Sequence, residues 1–190
     1  MHFLLKTIDS QTQDAFYDVF EEEKTYLQAS QYGAVREALG EKNIKKGVFL
    51  GDQLIGIAQF QKITARRGMY LHLPHGPLIE AKHLEPALSF FLEEYKKIGE
   101  EEGCDFVRIS CLFDKTKKTV FQKLAYKNAP VHLVNPEKTW VLKLEASEDD
   151  LLAQMKKSTR YEVRRIEKMG LKVQQGNTSE DLDIFWNLHS

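Results

Sequence analysis

The sequence predicts an α/β protein in which helices cover the faces of a mixed sheet. Short apolar runs with strand character alternate along the chain with longer runs of helical period. Two of the strand-like runs flank Gly51-Asp52-Gln53, a turn-forming tripeptide that predicts an antiparallel hairpin. An antiparallel hairpin within a chain of alternating strands and helices indicates a sheet of mixed direction.

The first elements follow from local signals. Residues 3–8 are predicted to form a strand, and Ser10 is predicted to cap a helix that runs to Phe20. A second helix is expected from Ser30 to Leu39, where Gly40 would end it. The predicted hairpin comes next.

The remaining elements of the predicted first domain alternate strand and helix. Residues 69–73 form a strand that should end at Pro74-His75-Gly76-Pro77, because two prolines interrupt strand pairing. A helical period follows over 84–98, then a short apolar strand over 106–112 and a helix around Phe121. Residues 140–144 alternate apolar and polar side chains, which predicts a half-buried strand.

The character of the chain changes near Glu145. Ser147 and Asp150 resemble a capping box that opens one long helix, predicted to run to about Met169. A strand is predicted over 171–173, followed by a helix from Ser179 to Leu188. We therefore expect a first domain over 1–145 and the start of a second, incomplete domain over 146–190.

Composition limits the possible functions. The chain has 190 residues, 42% of them hydrophobic, and a net charge of −1, so any surface for nucleic acid would have to be local. The spacing of Cys104 and Cys111 fits no metal site, and we expect two buried thiols. The N-terminal residues lack a signal-peptide pattern, and no apolar run could span a bilayer. These features predict a cytoplasmic protein.

A basic stripe is the clearest pattern in the predicted long helix. Its members share one side of the helix at steps of three and four residues: Lys157, Arg160, Arg164 and Lys168. Such a stripe can hold the phosphates of a tRNA or of a nucleotide-linked precursor. It can equally be a solvated helix face.

Other candidate residues each carry two interpretations. Gly76 and Pro77 could shape a substrate-lining bend or a plain turn. Arg108 and Ser110 could line a cleft or belong to an exposed sheet face. Arg36, four residues after Tyr32, could clamp a phosphate or be an ordinary surface arginine.

Several familiar kinds of site are not indicated. His72 and His75 would point to opposite faces of a strand, so we expect loop or rim histidines rather than metal ligands. The sequence contains no Gly-x-Ser-x-Gly nucleophile motif and no alternating glycines of a dinucleotide or phosphate loop. We expect no metal and no bound cofactor.

Several segments together resemble the FemABX family, in order and spacing over nearly the whole chain. They are the opening Tyr26-Leu27-Gln28-Ala29-Ser30-Gln31-Tyr32-Gly33, the hairpin segments Gly47-Val48-Phe49 and Leu54-Ile55-Gly56, the bend Tyr70-Leu71-His72-Leu73-Pro74-His75-Gly76-Pro77-Leu78, and the later stretches Thr139-Trp140-Val141-Leu142 and Lys157-Ser158-Thr159-Arg160-Tyr161-Glu162-Val163-Arg164, ending at Gly170.

The resemblance implies two GNAT-like (acetyltransferase-type) domains, the first nearly complete here. It implies a cytoplasmic aminoacyltransferase, peripheral to the membrane face, that acts in peptidoglycan biosynthesis, cell-wall biogenesis and the maintenance of cell shape. The donor would be aminoacyl-tRNA, and the acceptor a UDP- or lipid-linked muropeptide precursor. Arg36 would fall where the family contacts the precursor's phosphates. Ser110 stands where some members have an acidic substrate contact, which is a departure from the pattern.

Two other functions stay open. A CoA-dependent GNAT N-acetyltransferase would fit the predicted topology, although the glycine-rich pyrophosphate loop is not found in the sequence. A non-catalytic module that binds a precursor or RNA would also fit. In the aminoacyltransferase interpretation, the family's catalytic residues lie beyond Ser190, so we expect the fragment to be inactive alone.

Overall fold

The computed structural model describes residues 2–66, 68–113, 117–129, 135–136 and 140–189. The chain divides into two compact units, Met1–Glu137 and Lys138–Ser190. The domain boundary predicted between residues 145 and 146 stays a prediction. Thr139, quoted above in a motif, lies outside the described residues.

The first unit alternates strands and helices, as predicted. Its elements are β1 (Phe3–Thr7), α1 (Ser10–Val19), a 3₁₀ turn (Tyr26–Gln28), α2 (Ser30–Ala38), β2 (Lys42–Leu50), β3 (Gln53–Ala65), β4 (Gly68–Pro74), β5 (Leu78–Ile79), a second 3₁₀ turn (Ala81–His83), α3 (Leu84–Glu101), β6 (Phe106–Ser110) and α4 (Lys118–Lys123).

The strands form one six-stranded mixed sheet in the order β1-β2-β3-β4-β6, with β5 also paired to β3. Pairing is antiparallel from β1 through β4, and β6 joins β4 in parallel. The parallel step follows from the crossover helix α3, which returns the chain to the same end of the sheet. The predicted fold class, a mixed α/β sheet flanked by helices, is confirmed.

The main core lies between the sheet and α3. Leu88, Phe91 and Tyr95 of α3 are fully buried and pack in one cluster with residues of β3 and β4, including Phe60. The rings of Phe60 and Tyr95 meet edge to face at a centroid distance of 5.1 Å. Because side chains alternate along a strand, the polar neighbours of these core residues point to the opposite sheet face.

The second unit contains three helices, α5 (Glu148–Gln154), α6 (Lys157–Lys168) and α7 (Ser179–His189). The prediction of one long helix from Ser147 to about Met169 is therefore wrong. Met155 is extended at the end of α5, with ψ 156°. The Nη1 atom of Arg160 donates to the carbonyl oxygens of Ala153 and Met155, at 2.9 and 2.5 Å. A side chain of α6 thus satisfies carbonyls that a continuous helix would have bonded internally.

The two strands predicted in this part of the chain are also wrong. Residues 140–143 and 171–177 have no regular secondary structure. Trp140 is 92% exposed and Val173 is 98% exposed. An extended segment needs a neighbouring strand for its backbone hydrogen bonds, and these segments have none among the described residues.

Helix caps explain where several helices begin. The predicted cap Ser147 is confirmed, since its Oγ accepts from the Asp150 amide at 3.2 Å. The cap of α1 is displaced by one residue, since Asp9 and not Ser10 caps this helix. Helix α7 begins at Ser179, as predicted, and Thr178 accepts from the Asp181 amide ahead of it. In the described part of the chain, no helix is both long and apolar enough to cross a membrane.

Candidate functional site

A row of polar side chains crosses the face of the sheet opposite α3. Strand register joins Asn43 to Gln61, Gln61 to His72, and His72 to Arg108. Ser110 pairs with Pro74 at the end of the same two strands. Four neighbouring strands therefore present polar groups side by side.

Helix α2 packs on this face through a glycine. A Cβ atom on Gly33 would lie 2.3 Å from Oε1 of Gln59 and 2.4 Å from Nδ2 of Asn43, so a side chain at this position would force both amides to shift. The close contact brings the next turn of α2, with Arg36, to the edge of the polar face. Tyr32 lies one turn before Arg36 and stacks edge to face on Tyr26, at a centroid distance of 5.8 Å.

Arg36 is half-buried and paired with a carboxylate. Its Nε donates to Oε2 of Glu41 at 2.7 Å, and its Nη2 donates to Oε1 of the same residue. Burial raises the pKa of Tyr32, an effect that the Arg36 charge opposes and the Glu41 charge supports. The predicted phosphate-binding arginine thus already holds an anionic partner in bidentate geometry.

His72 is a buried, neutral histidine on the same face. It is 6% exposed, and burial together with the positive charge of Arg108 lowers its pKa from 6.5 to about 4. The Arg36 charge lowers the pKa of His72 further, which places both arginines within electrostatic reach of one imidazole. Its Nε2 and Oδ1 of Asn135 are buried without a well-formed hydrogen bond among the described residues, although the Asn135 side chain acts to raise the pKa of His72.

His75 is also buried, in the bend after β4. Its φ is 49°, a left-handed conformation that is uncommon for a residue with a side chain. Its Nδ1 lies 3.0 Å from Oγ1 of Thr25, and burial lowers the pKa of His75. The prediction of a loop histidine is therefore confirmed for His75, which lies in the bend. It is wrong for His72, which is buried on β4, because strand alternation alone does not reveal that other segments cover this face.

The structure gathers most of the predicted substrate residues around this polar face. Tyr32 and Arg36 border it from α2, Arg108 and Ser110 lie on it from β6, and Gly76 is buried in the bend beside it. Pro77 instead borders a groove of about 190 Å³ that Phe20, Leu84 and Phe113 also line. The sequence missed the buried glutamines of this region, Gln13, Gln28, Gln59 and Gln61. Gln28 stood in a quoted motif, but nothing local signalled its burial.

The basic stripe of the second unit divides into two kinds of residue. Lys157, Arg164 and Lys168 are exposed along one side of α6. Arg160 is half-buried, and its Nη1 is engaged by the carbonyls at the end of α5. Tyr161, which is 64% exposed, lies at the edge of the stripe. Three of the four predicted cations thus remain directed to solvent.

The two cysteines are unpaired and half-buried, and burial raises the pKa of each thiol. Both thiols are therefore protonated near neutral pH and are poor nucleophiles. Among the described residues, no three His, Cys, Asp or Glu side chains converge as a metal site would require.

Comparison with known proteins adds independent observations. The structure is similar to "Crystal structure of FemX", with a TM-score of 0.72 and 18% identity, over 97% of this chain and 48% of that one. It is also similar to glucosamine-6-phosphate N-acetyltransferase from Arabidopsis thaliana (TM-score 0.51, 11% identity, 73% of this chain, 100% of that one). A predicted acetyltransferase with acetyl-CoA from Clostridium acetobutylicum gives a TM-score of 0.51 at 11% identity, over 71% of this chain and 96% of that one.

These similarities show a GNAT-like fold, as the sequence resemblance implied. The chain spans about half the length of FemX. No curated protein matches it. Residues 113–190 match the model of the FemAB family. This match covers less than half of the chain, and the similarity to FemX shows the fold.

Proposed function

We propose that this chain is the N-terminal part of an aminoacyltransferase that builds the interpeptide bridge of peptidoglycan. The family match over residues 113–190, on a fold shared with FemX, carries the proposal. The donor is aminoacyl-tRNA, and the acceptor is the stem peptide of a muropeptide precursor. In this proposal, residues 146–190 are the start of a second GNAT-like domain. Because the chain spans about half of FemX, transfer is assigned to the whole protein, and precursor binding to the first unit.

The chemistry asks for orientation and charge stabilisation. An aminoacyl ester is already activated, so an acceptor amine needs to be deprotonated and held close to the carbonyl carbon. A polar, partly buried face with fixed donors and neutral histidines suits a precursor that must be held in one orientation. No covalent enzyme nucleophile is needed for this step, which agrees with the protonated state of Cys104 and Cys111.

Arg36 is the candidate contact to the precursor's phosphates. In the present structure Glu41 occupies the Nε and Nη2 positions of its guanidinium. A phosphate presents oxygens with the same planar spacing as a carboxylate, so the two anions would compete for one fork. The Glu41 carboxylate would therefore weaken phosphate binding both by occupying the donors and by repulsion.

Calorimetry with a UDP-linked muropeptide tests this role. Arg36→Ala should weaken binding by ~1–3 kcal/mol, the range for a hydrogen bond to a charged group. Glu41→Gln should instead tighten binding, because it removes the competing charge and keeps the side-chain shape. If both variants bind as tightly as the wild type, Arg36 does not contact the ligand. An effect of the same sign from both would mean that the ion pair matters only for folding.

The exposed stripe on α6 is the candidate surface for the tRNA phosphates. Arg164→Ala combined with Lys168→Ala should reduce the slope of log affinity against log salt by ~1–2 for tRNA binding, since each lost phosphate contact contributes ~0.7–0.9. Lys97→Ala combined with Lys42→Ala is a charge-matched control, because these two ammonium groups are paired with Glu94 at 2.6 Å and with Glu102 at 2.5 Å in the first unit. An unchanged slope in the double variant would indicate that the stripe is a solvated helix face and does not contact tRNA phosphates.

The alternatives are separated by the same calorimetry. A CoA-dependent N-acetyltransferase should bind acetyl-CoA tightly. Glu80 precedes α3 and Glu85 lies in its first turn, and His83 at the helix N-cap makes no side-chain capping bond. These two acidic residues disfavour a pyrophosphate at that helix terminus. Tight acetyl-CoA binding without muropeptide binding would favour the acetyltransferase. Binding of precursor or RNA by a full-length protein without transfer activity would favour a non-catalytic module.

A further inference from the structure

The central strands of the sheet separate at one point. β3 pairs with β4 from Gln61 and His72 outward, and with β5 at Gly56 and Ile57. Continuing the β3–β4 register inward would place Gln59 opposite Pro74. Proline has no N–H group, so it cannot donate to the Gln59 carbonyl, and the ladder cannot close there with backbone groups alone.

The side-chain amide of Gln28 fills this gap. Its Nε2 donates to the carbonyl oxygens of Gln59 and Pro74, at 2.9 and 2.7 Å. Its Oε1 accepts from the Gln59 amide at 2.8 Å. One primary amide thus uses both of its N–H groups and one acceptor position, and it links two strands that no longer pair directly. The Gln28 side chain is fully buried, away from water. Each of these bonds therefore satisfies a backbone group of Gln59 or Pro74 that the separated strands leave without a partner.

The segment that carries Gln28 is itself held in place from two sides. Nε2 of Gln13 donates to the Gln28 carbonyl at 2.9 Å, and Nε2 of Gln59 donates to the Ala29 carbonyl at 2.9 Å. Thr25 contacts His75 through the 3.0 Å bond described above. These hydrogen bonds hold the Gln28 amide in one position, beside the bend His75-Gly76-Pro77.

Gly76 rests directly on that amide. A Cβ atom at Gly76 would lie 2.8 Å from Cδ and 2.9 Å from Nε2 of Gln28, and 2.9 Å from Cδ1 of Leu73. Gly76 is not among the glycines with positive φ. Space, and not backbone conformation, therefore excludes a side chain at this position. Gln28 of the segment 26–33 and Gly76 of the segment 70–78 therefore contact each other directly.

We propose that Gln28 is a positioning residue, whose amide sets the bend His75-Gly76-Pro77 against the polar face that binds the precursor. The inference rests on the proposed function for its ligand. Its structural half, the coupling between Gln28 and Gly76, stands on the contacts alone. Gln28 acts through the bend and not by touching the reacting atoms.

A double-mutant cycle tests the coupling. Gly76→Ala alone should force the bend away from Gln28 and weaken muropeptide binding about tenfold, a modest loss for a displaced contact surface. In a Gln28→Ala background two of the three close contacts are gone and only Cδ1 of Leu73 remains at 2.9 Å, so the same Gly76 substitution should cost less affinity than it does in the wild type. Additive losses would overturn the contact as the reason for glycine at this position.

Two further variants separate positioning from loss of stability. Gln28→Met keeps the volume and removes the hydrogen bonds, and it should lower affinity about tenfold while the α3 core stays folded. Phe91→Leu, on the opposite side of the sheet, should lower the unfolding midpoint and leave affinity unchanged. If Gln28→Met binds like the wild type, or if Phe91→Leu loses affinity equally, the positioning role is contradicted.

Amide NMR shifts separate this proposal from the function on which it rests. Gln28→Met should move the resonances of Gln59 and Gly76 without any ligand present. If the wild-type protein does not bind the muropeptide, the proposed function is contradicted. The Gly76 amide resonance in Gln28→Met still tests the contact between Gln28 and Gly76 in that case. If Gln28→Met does not fold, Gly76→Ala gives the readout from the other side of the contact, because its methyl group should move the side-chain amide resonances of Gln28. Unmoved Gln28 resonances in that variant would overturn the coupling. An unmoved Gly76 resonance in a folded variant would overturn the coupling.

Discussion

The two units of this chain achieve order in different ways. In the first unit, Phe60, Leu88, Phe91 and Tyr95 are completely buried between sheet and helix. In the second unit, none of the residues 140–166 and 168–189 is buried, and apolar side chains such as Trp140 are almost fully exposed. The first unit is therefore organised by contacts between distant parts of the sequence, and the second by local ones.

The local contacts of the second unit are hydrogen bonds at helix ends. Ser147 caps α5, the pair Thr178 and Asp181 caps α7, and Arg160 bonds the last carbonyls of α5. Each such contact is worth about 0.5–2 kcal/mol, far less than a packed aromatic side chain. Helices α5, α6 and α7 therefore show that a regular helix in this chain is not evidence of a hydrophobic core.

The largest expected effect is the loss of stability when a core side chain of the first unit is removed. Phe60→Ala should destabilise the first unit by about 3–5 kcal/mol, because it empties a fully buried site against Tyr95. Phe185→Ala is the matched substitution in α7, where the ring is 61% exposed, and it should change stability by no more than ~0.5 kcal/mol. Urea unfolding measures both. Similar losses would mean that the second unit has a core of its own.

The pH dependence of unfolding tests the burial of a single side chain of the first unit, His72. The pKa of His72 is lowered from 6.5 to about 4, so below pH 6.5 the unfolded chain takes up a proton that the folded chain refuses. Stability should therefore fall between pH 6.5 and pH 4, by about 3 kcal/mol for this residue, and show no loss from it above pH 6.5. His72→Gln should flatten this part of the pH profile of unfolding. Equal profiles for the variant and the wild type would contradict a buried neutral imidazole.

The smallest effect concerns the local order of the second unit. Ser147→Ala removes the acceptor for the Asp150 amide and should destabilise α5 by ~1 kcal/mol. Amide hydrogen exchange should show faster exchange in α5 alone, with the strands of the first unit unaffected. A loss of protection that extends into β3 would show that the two units unfold together.

The sequence predicts the first unit well where its signals are local. The turn at Gly51 and Asp52 predicted the hairpin, and helical periodicity predicted α3 within a few residues. The buried polar network was not predictable in the same way. Gln28 is buried against Gln59 and Pro74, which lie far away in the sequence, and no local pattern carries that information.

The errors in the second unit have the same physical origin. Residues 140–144 alternate like a strand, but alternation forms a strand only where a partner strand is in place. The predicted basic stripe was correct in spacing, yet Arg160 bonds carbonyls across a helix break that periodicity does not reveal. The site residues Arg36, Tyr32, Arg108 and Ser110 were named from motifs, and their role in binding stays a prediction.

One measurement tests the central claim most directly, namely that the polar face of the first unit binds the precursor. An isotope-labelled chain titrated with a UDP-linked muropeptide should show saturable amide shifts at Tyr32, Arg36, Gly76 and Arg108, with the resonances of α7 unmoved. Saturable shifts confined to the start of α3, or none at these four residues, would contradict it.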